Sequence, residues 1–372
     1  MKKFLGSIFI ILLCVILVGG IYVATQDNTD IPPNSTQSGV VDDSGNAGNS
    51  GEKPDNSSSS GTQGDSSGTG NNTPPDSSGN NTPEDTALKN PTNVRSYIAD
   101  GLEMVSGAAI YLGEAEYEPA IRFTCSVSGA VKSAVDSDSK KSLAFLVAPV
   151  EYFDSVNPNN YTYLDWVTEF NKAGKTVIYS LLEEGNFYEN GSDYIVRFRL
   201  QNVMYKNINR KFVCLLVLET NNGGSMSYKY SAYPAGIDYR SNARSVAGVA
   251  AASLNAYTLG MENFNEVELK KLRNYINQSV DCANGKETAT DDGSMYAFTT
   301  NITAPQNLSV GQSLTIVTTI SPNVDIPVWY RSSDEAVIEV DDSGKVIARA
   351  KGTAVVGVYV AGETYGITVT VS

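Results

Sequence analysis

From Phe298 to Ser372, turn signals recur about every eight to twelve residues, and the residues between them alternate apolar with polar. Successive side chains of a strand point to opposite faces, so each of these runs can bury one face only. Sheets of that kind must close on one another, which predicts a small β-sandwich. TYGITVTVS sets Tyr365, Ile367, Val369 and Val371 inward against Thr364, Thr368 and Thr370, and SLTIVTTI sets Leu314, Ile316 and Ile320 on one face. Asp341 to Lys345 (DDSGK) reads as a hairpin turn, and Gly352 and Gly362 mark two more. Trp329 is the expected central aromatic of the core.

A larger domain is expected over 91–285, joined to the sandwich by a polar hinge at 286–297. Short strands come first, in MVSGAAIYL, AIRFTCSV and LAFLV. YTYLDWVTEFNKAG predicts a short helix ending at Gly174, and KTVIYSLL a return to strand. DYIVRFRL alternates cleanly, with Tyr194, Val196, Phe198 and Leu200 on one face and Ile195, Arg197 and Arg199 on the other, largely wet one. KFVCLLVLE, apolar on both faces, is the expected central strand, and NNGG at Asn221 to Gly224 turns it into SYKYSAY. The pattern then becomes helical: RSVAGVAAASLNAYTL is rich in small residues, and the next helix carries Leu269, Leu272, Ile276 and Val280 on one stripe. The fold class is therefore mainly β, with a C-terminal sandwich and a larger β-rich domain closed by C-terminal helices.

At the other end, Lys2 and Lys3 precede an apolar run from Phe4 to Ala24, about 31 Å long as a helix and sufficient to cross a bilayer. Residues 1–25 are expected to be a signal-anchor with the chain's bulk outside, giving a single-pass membrane protein; the alternative is a secreted protein, cut after Gly20. No sorting signal follows the last strand, so attachment is expected at this run. Residues 26–90 are Ser, Gly, Asn, Asp, Thr and Pro with almost nothing to bury, and are expected to form a disordered linker.

The chain has no histidine, which removes the commonest general base and zinc ligand and every Ser-His-Asp or Cys-His arrangement. Its formal charge of −14 argues against nucleic acid as a partner. Cys125, Cys214 and Cys282 are odd in number and expected to be small buried hydrophobes, although a Cys125 to Cys214 bridge is open if their strands are neighbours. Ser137 and Lys140 match S-x-x-K but lack its companion motifs. Glu183, Glu184, Glu189 and Asp193 read as a solvated acidic loop. The pairs Asp291–Asp292 and Asp341–Asp342 lack the spacing of a dedicated calcium loop. No catalytic residue, cofactor or metal is expected. The binding candidates are Tyr228, Tyr230, Tyr233 and Tyr239, because tyrosine rings stack on sugars and on partner surfaces; the alternative is aromatic packing beneath the terminal helices.

LSVGQSLTI, VWYRSSDEAVIEVDDSGKVIARAKGTAVV and YGITVTV, in that order, resemble group 2 bacterial immunoglobulin-like domains across 298–372. The likeness rests on a tryptophan strand, an SSD turn, a D-x-x-G-K-V hairpin and a K-G-T turn, and departs at Tyr330 and Arg331, where small polar residues are more usual. AAIYLGEAEYEPAIRF and RSVAGVA resemble a module found beside such domains in uncharacterised Firmicutes surface proteins. The resemblance implies a non-catalytic cell-surface protein for adhesion, cell-wall contact or spacing. The alternative is a carbohydrate-binding or glycan-active extracellular protein with the middle domain as its functional module. Cell-wall polysaccharide, a host glycan or a surface protein would be the partner, with the membrane reached through the N-terminal helix.

Overall fold

Cross-strand pairing turns the alternating runs of 91–285 into a single mixed sheet. The structure, a computed structural model, describes residues 97–112, 120–289 and 295–372. The expected anchor (1–25), the expected linker (26–90) and Asp291 and Asp292 lie outside the described residues. In chain order the elements of the first domain are β1 (Ile98–Met104), β2 (Ala109–Tyr111), β3 (Ala120–Val127), α1 (Gly129–Ser137), β4 (Lys141–Pro149), α2 (Val150–Val156) and α3 (Trp166–Lys172). They continue with β5 (Ile178–Leu181), β6 (Tyr188–Asn190), β7 (Asp193–Leu200), β8 (Phe212–Asn222), β9 (Ser225–Ala232), α4 (Val246–Thr258) and α5 (Glu266–Ala283).

The strands lie in the order β5-β4-β8-β9-β1-β3-β7-β6, with β2 also on β3. Two antiparallel halves meet at β9 and β1, which run parallel. KFVCLLVLE is central, as its two apolar faces require, and Asn221 to Gly224 makes its hairpin. Phe145 on β4 and Phe198 on β7 are in ring contact at 5.5 Å although four strands separate them. A flat sheet would hold them roughly 24 Å apart, so the sheet curls round its own inner face. Phe123, Cys125, Phe145, Val196, Phe198, Cys214 and Leu216 are buried on that face. Both buried cysteines are free, on strands that are not neighbours, and burial pushes both thiols up. These two act as the small hydrophobes expected, whereas Cys282 is only half-buried.

Helix α5 buries Leu269, Leu272, Ile276 and Val280 as its stripe requires. Its start is a capping box, with the Asn265 side chain accepting from the Glu268 N–H and Glu268 reaching back. Two helices were not expected from the sequence. Ser128 caps α1 through the Val131 N–H, and α2 starts straight from β4 at Pro149 with no side-chain cap.

The terminal domain contains β10 (Ala297–Thr300), β11 (Gln306–Leu308), β12 (Ser313–Thr315), β13 (Thr318–Ser321), β14 (Val328–Ser332), β15 (Ile338–Val340), β16 (Lys345–Ala348), β17 (Gly352–Val360) and β18 (Glu363–Val371). One sheet is β11-β18-β17-β14, the facing strands are β12-β16-β15, and β10 pairs with β13. Ile367, Val369 and Val371 are buried opposite Val356, Ala354 and Gly352, as the alternation requires. The position of Trp329 is a correction. Tyr330 lies opposite Val358, on the inward face of β17, so Tyr330 is buried at 5% exposure and Trp329 is half-buried on the outer face. The Tyr330 hydroxyl bonds Thr318 Oγ1 at 3.0 Å, and Arg331 stacks over the Trp329 ring. SLTIVTTI is not one strand: β12 pairs β16, β13 pairs β10, and Val317 between them is exposed.

Candidate functional site

The tyrosines singled out in the sequence do not share one exposed surface. Tyr228 and Tyr230 are on one face of β9, as the period of two requires, but α2, α3 and the segments around them cover that face. Tyr230, Tyr233 and Tyr239 are buried and Tyr228 is half-buried. The Tyr230 hydroxyl donates to Asp165 Oδ1 at 2.9 Å and accepts from the Val167 N–H at 2.9 Å. Tyr239 donates to Asp154 and stacks on Phe153, whose ring also meets Trp166 and Phe170 edge-on. The Tyr163 hydroxyl accepts from the Tyr233 N–H, and the two rings pack at 5.8 Å. Burial pushes the Tyr230, Tyr233 and Tyr239 hydroxyls up. Together they form an aromatic layer between sheet and helices.

On the other half of the sheet the outer face is different. β3 and β7 pair with Arg122 opposite Arg199 and Thr124 opposite Arg197, which places all three arginines on one face. β2 adds Tyr111 at one end and β6 adds Tyr188 at the other. The Arg199 guanidinium lies 3.6 Å from the centre of the Tyr111 ring, and that of Arg197 lies 4.8 Å from the centre of Tyr188. Arg199 is buried at 8% exposure, not wet, while Arg122, Arg197 and both tyrosines are half-buried. Arg122 Nε is buried and has no hydrogen-bond partner among the described residues. Burial, and then the charge of Arg197, lowers the Arg122 pKa, with Tyr188 opposing. Glu103, opposite Ser126 and exposed, and Asp193, half-buried at the start of β7 with its carboxylate accepting from the Gly129 N–H at 3.1 Å, are acids on this face. The pattern R-x-R in β7 was visible in the sequence; its union with Arg122 required the β3–β7 register.

A second constellation joins the domains. Asn255 of α4, fully buried, donates through Nδ2 to the carbonyls of Pro327 (3.2 Å) and Tyr359 (3.3 Å), and its Oδ1 accepts from the Gly362 N–H (2.9 Å). At the start of the same helix, the capping Ser245 donates to Asp325 Oδ2 at 2.6 Å, and Lys211 pairs with Asp325 at 2.9 Å. A Cβ on Gly248 would come within 2.9 Å of Asp325 Oδ2 and 3.1 Å of its carbonyl oxygen, so a larger residue would push Asp325 off this approach. An acid at a helix N-terminus also meets the positive end of the helix dipole. The domains are therefore in hydrogen-bonded contact on the described side of the expected hinge.

The remaining candidates are placed as follows. Ser137 ends α1 with its hydroxyl on the Ser133 carbonyl, and Lys140 is exposed. Glu183 and Glu184 are exposed at a tight 3-10 turn. Asp341 accepts from the Ser343 and Lys345 N–H groups of its own turn, and Asp342 lies 3.7 Å from Arg331. Among the described residues, no cluster of His, Cys, Asp and Glu could hold a metal ion, and no helix is long and apolar enough to cross a membrane.

No family model matches the chain, and no curated protein matches it. Among solved structures it is similar to an ICAM-5 D1-D4 ectodomain fragment at 11% identity, covering 73% of this chain and 54% of that one with a TM-score of 0.21. It is also similar to Dpr2 Ig1-Ig2 in complex with DIP-Theta Ig1-Ig3 at 10% identity, covering 72% of this chain and 99% of that one with a TM-score of 0.17. The chain thus spans about half the length of the first. The strand pairing itself places the terminal domain in the immunoglobulin-like class: a four-stranded sheet whose first strand, β11, runs parallel to its last, β18, packed against β12-β16-β15.

Proposed function

We propose that the chain is a non-catalytic cell-surface protein whose two folded domains form one rigid head for adhesion or cell-wall contact. The observation that carries this reading is the seat of the sandwich on α4, where the buried Asn255 satisfies three main-chain groups of the other domain. A buried amide with all its partners met fixes a geometry, because any other docking angle leaves those groups unpaired. The apolar run at Phe4 to Ala24 and the polar stretch after it support export and display.

Mild proteolysis of intact cells carrying the full chain tests the reading. Release of one fragment holding both domains is expected. Full resistance on intact cells with sensitivity after lysis would refute surface display. In the purified full chain, Asn255→Ala should cost about 2–4 kcal/mol, because it leaves buried main-chain groups unpaired. The single cooperative melt should then split in two, read by calorimetry. A carbohydrate-binding role for the first domain is the second reading, favoured by the arginine and tyrosine face; sugar release from cell-wall material by the pure protein would overturn the non-catalytic assignment.

A further inference from the structure

We infer that the outer face of β2, β3, β7 and β6 is a binding site for a carboxylated polysaccharide, held by Arg122 and Arg197 with Tyr111 and Tyr188 flanking them. The inference rests on the surface-protein reading above and names the ligand class of that protein's first domain. Three observations carry it. The first is charge: in a chain of net charge −14, this face gathers three arginines on two adjacent strands. Like charges side by side on a sheet are destabilising, and among the described residues neither Arg122 nor Arg197 has an acid within ion-pair distance. An anion arriving from outside relieves that repulsion.

The second is donor geometry. The half-buried Arg122 guanidinium is a planar fork that matches a carboxylate in bidentate fashion, and among the described residues its Nε has no hydrogen-bond partner. The hydroxyls of Thr124 and Ser126 lie further along the same face, toward Glu103, and suit sugar hydroxyls. The third is the alternation of rings and charges. Across β2, β3, β7 and β6 the face runs Tyr111, Arg122, the pair Arg197 and Arg199, and Tyr188, with a ring at each side and three cations between. Cross-strand and diagonal neighbours are roughly 5 to 8 Å apart, a spacing comparable to that of carboxylates on successive sugars of a uronic-acid polymer. Tyrosine rings give sugar faces a surface to lie on. A flexible acidic polypeptide would use the cations but would leave the rings without a flat partner.

The test uses the full chain and immobilised polygalacturonate, with a neutral glucan, poly-glutamate and a DNA duplex as comparison arms. Polygalacturonate should be retained and eluted by salt, since exposed ion pairs are screened, with the other three held much more weakly. Arg122→Gln with Arg197→Gln should reduce retention roughly a hundredfold, about tenfold for each lost charge-assisted contact. A charge-matched control, Lys172→Gln with Lys270→Gln on exposed helix positions, should leave it unchanged. Arg122→Lys with Arg197→Lys keeps the charge without the fork and should fall between, with a melting curve like the parent's. Equal retention of poly-glutamate or DNA, or undiminished retention by the glutamine variant, would overturn the site. Cell-surface proteolysis reads display independently, so loss of binding with intact display fails this site alone.

Discussion

The two halves of the nine-stranded sheet carry aromatic and charged residues in comparable patterns on their outer faces and put them to opposite uses. On β4, β8 and β9 the outer face is roofed by α2 and α3, and its tyrosines are sealed among Phe153, Trp166 and Phe170. On the other half Tyr111 of β2 and Tyr188 of β6 flank the guanidinium groups of β3 and β7, where among the described residues no acid pairs with Arg122 or Arg197. Tyrosine is amphipathic, so cover decides its role: roofed, its hydroxyl must find an internal acceptor, as Tyr230 finds Asp165 and Tyr239 finds Asp154; open, the ring is a platform.

Alkali should break the comparison most severely. Burial raises the pKa of Tyr230, Tyr233 and Tyr239 in the folded state above the value of about 10 expected for an unfolded chain. The stability they contribute is therefore fully present below pH about 10 and is lost as pH rises through their folded values. Phenolate absorbance from these residues should appear together with loss of circular dichroism, and their titration in a still-folded chain would show that the roof does not seal them. Next in size, Trp166→Ala removes the centre of the roofed layer and should cost about 3–5 kcal/mol in denaturant melts.

Smaller again, Tyr230→Phe leaves the Val167 N–H and Asp165 with one partner fewer and should cost about 1–3 kcal/mol. The smallest effect has the opposite sign. Arg122→Leu on the open half should stabilise the chain by up to about 1 kcal/mol, because it removes a partly desolvated charge that lies diagonal to Arg197. A loss of stability there would mean that Arg122 is structural, and the contrast between the halves would weaken.

Local pattern carried much of this fold into view. Residues with strict alternation, as in DYIVRFRL and TYGITVTVS, took their expected faces, because period two is a property of the strand itself. The NNGG turn and the Leu269 to Val280 stripe are similarly local. What escaped depends on distant partners. Tyr228 and Tyr230 do share a face, but whether it is roofed is decided by Phe153 and Trp166, far away in the chain. Arg197 and Arg199 were visible as a polar face, yet Arg122 joins them only through the β3–β7 register. Trp329 and Tyr330 differ by one position, and the choice between them was made by pairing with β17. VEYFDSV, which follows a strand directly and has no capping side chain, offered no start signal for its helix.

Every partner that Asn255 meets across the seat is a main-chain atom, two carbonyls and one N–H. Such a socket reads the path of the backbone and ignores the identity of the side chains along it. Relatives could therefore exchange the sandwich for another of the same loop shape, provided position 325 keeps the acid that Ser245 and Lys211 meet and position 362 a residue able to hold its φ of 88°, which in practice means glycine. Position 255 has no comparable freedom. Over long divergence the seat should be a fixed asparagine facing a terminal domain whose surface drifts, an arrangement suited to shuffling of one module against another.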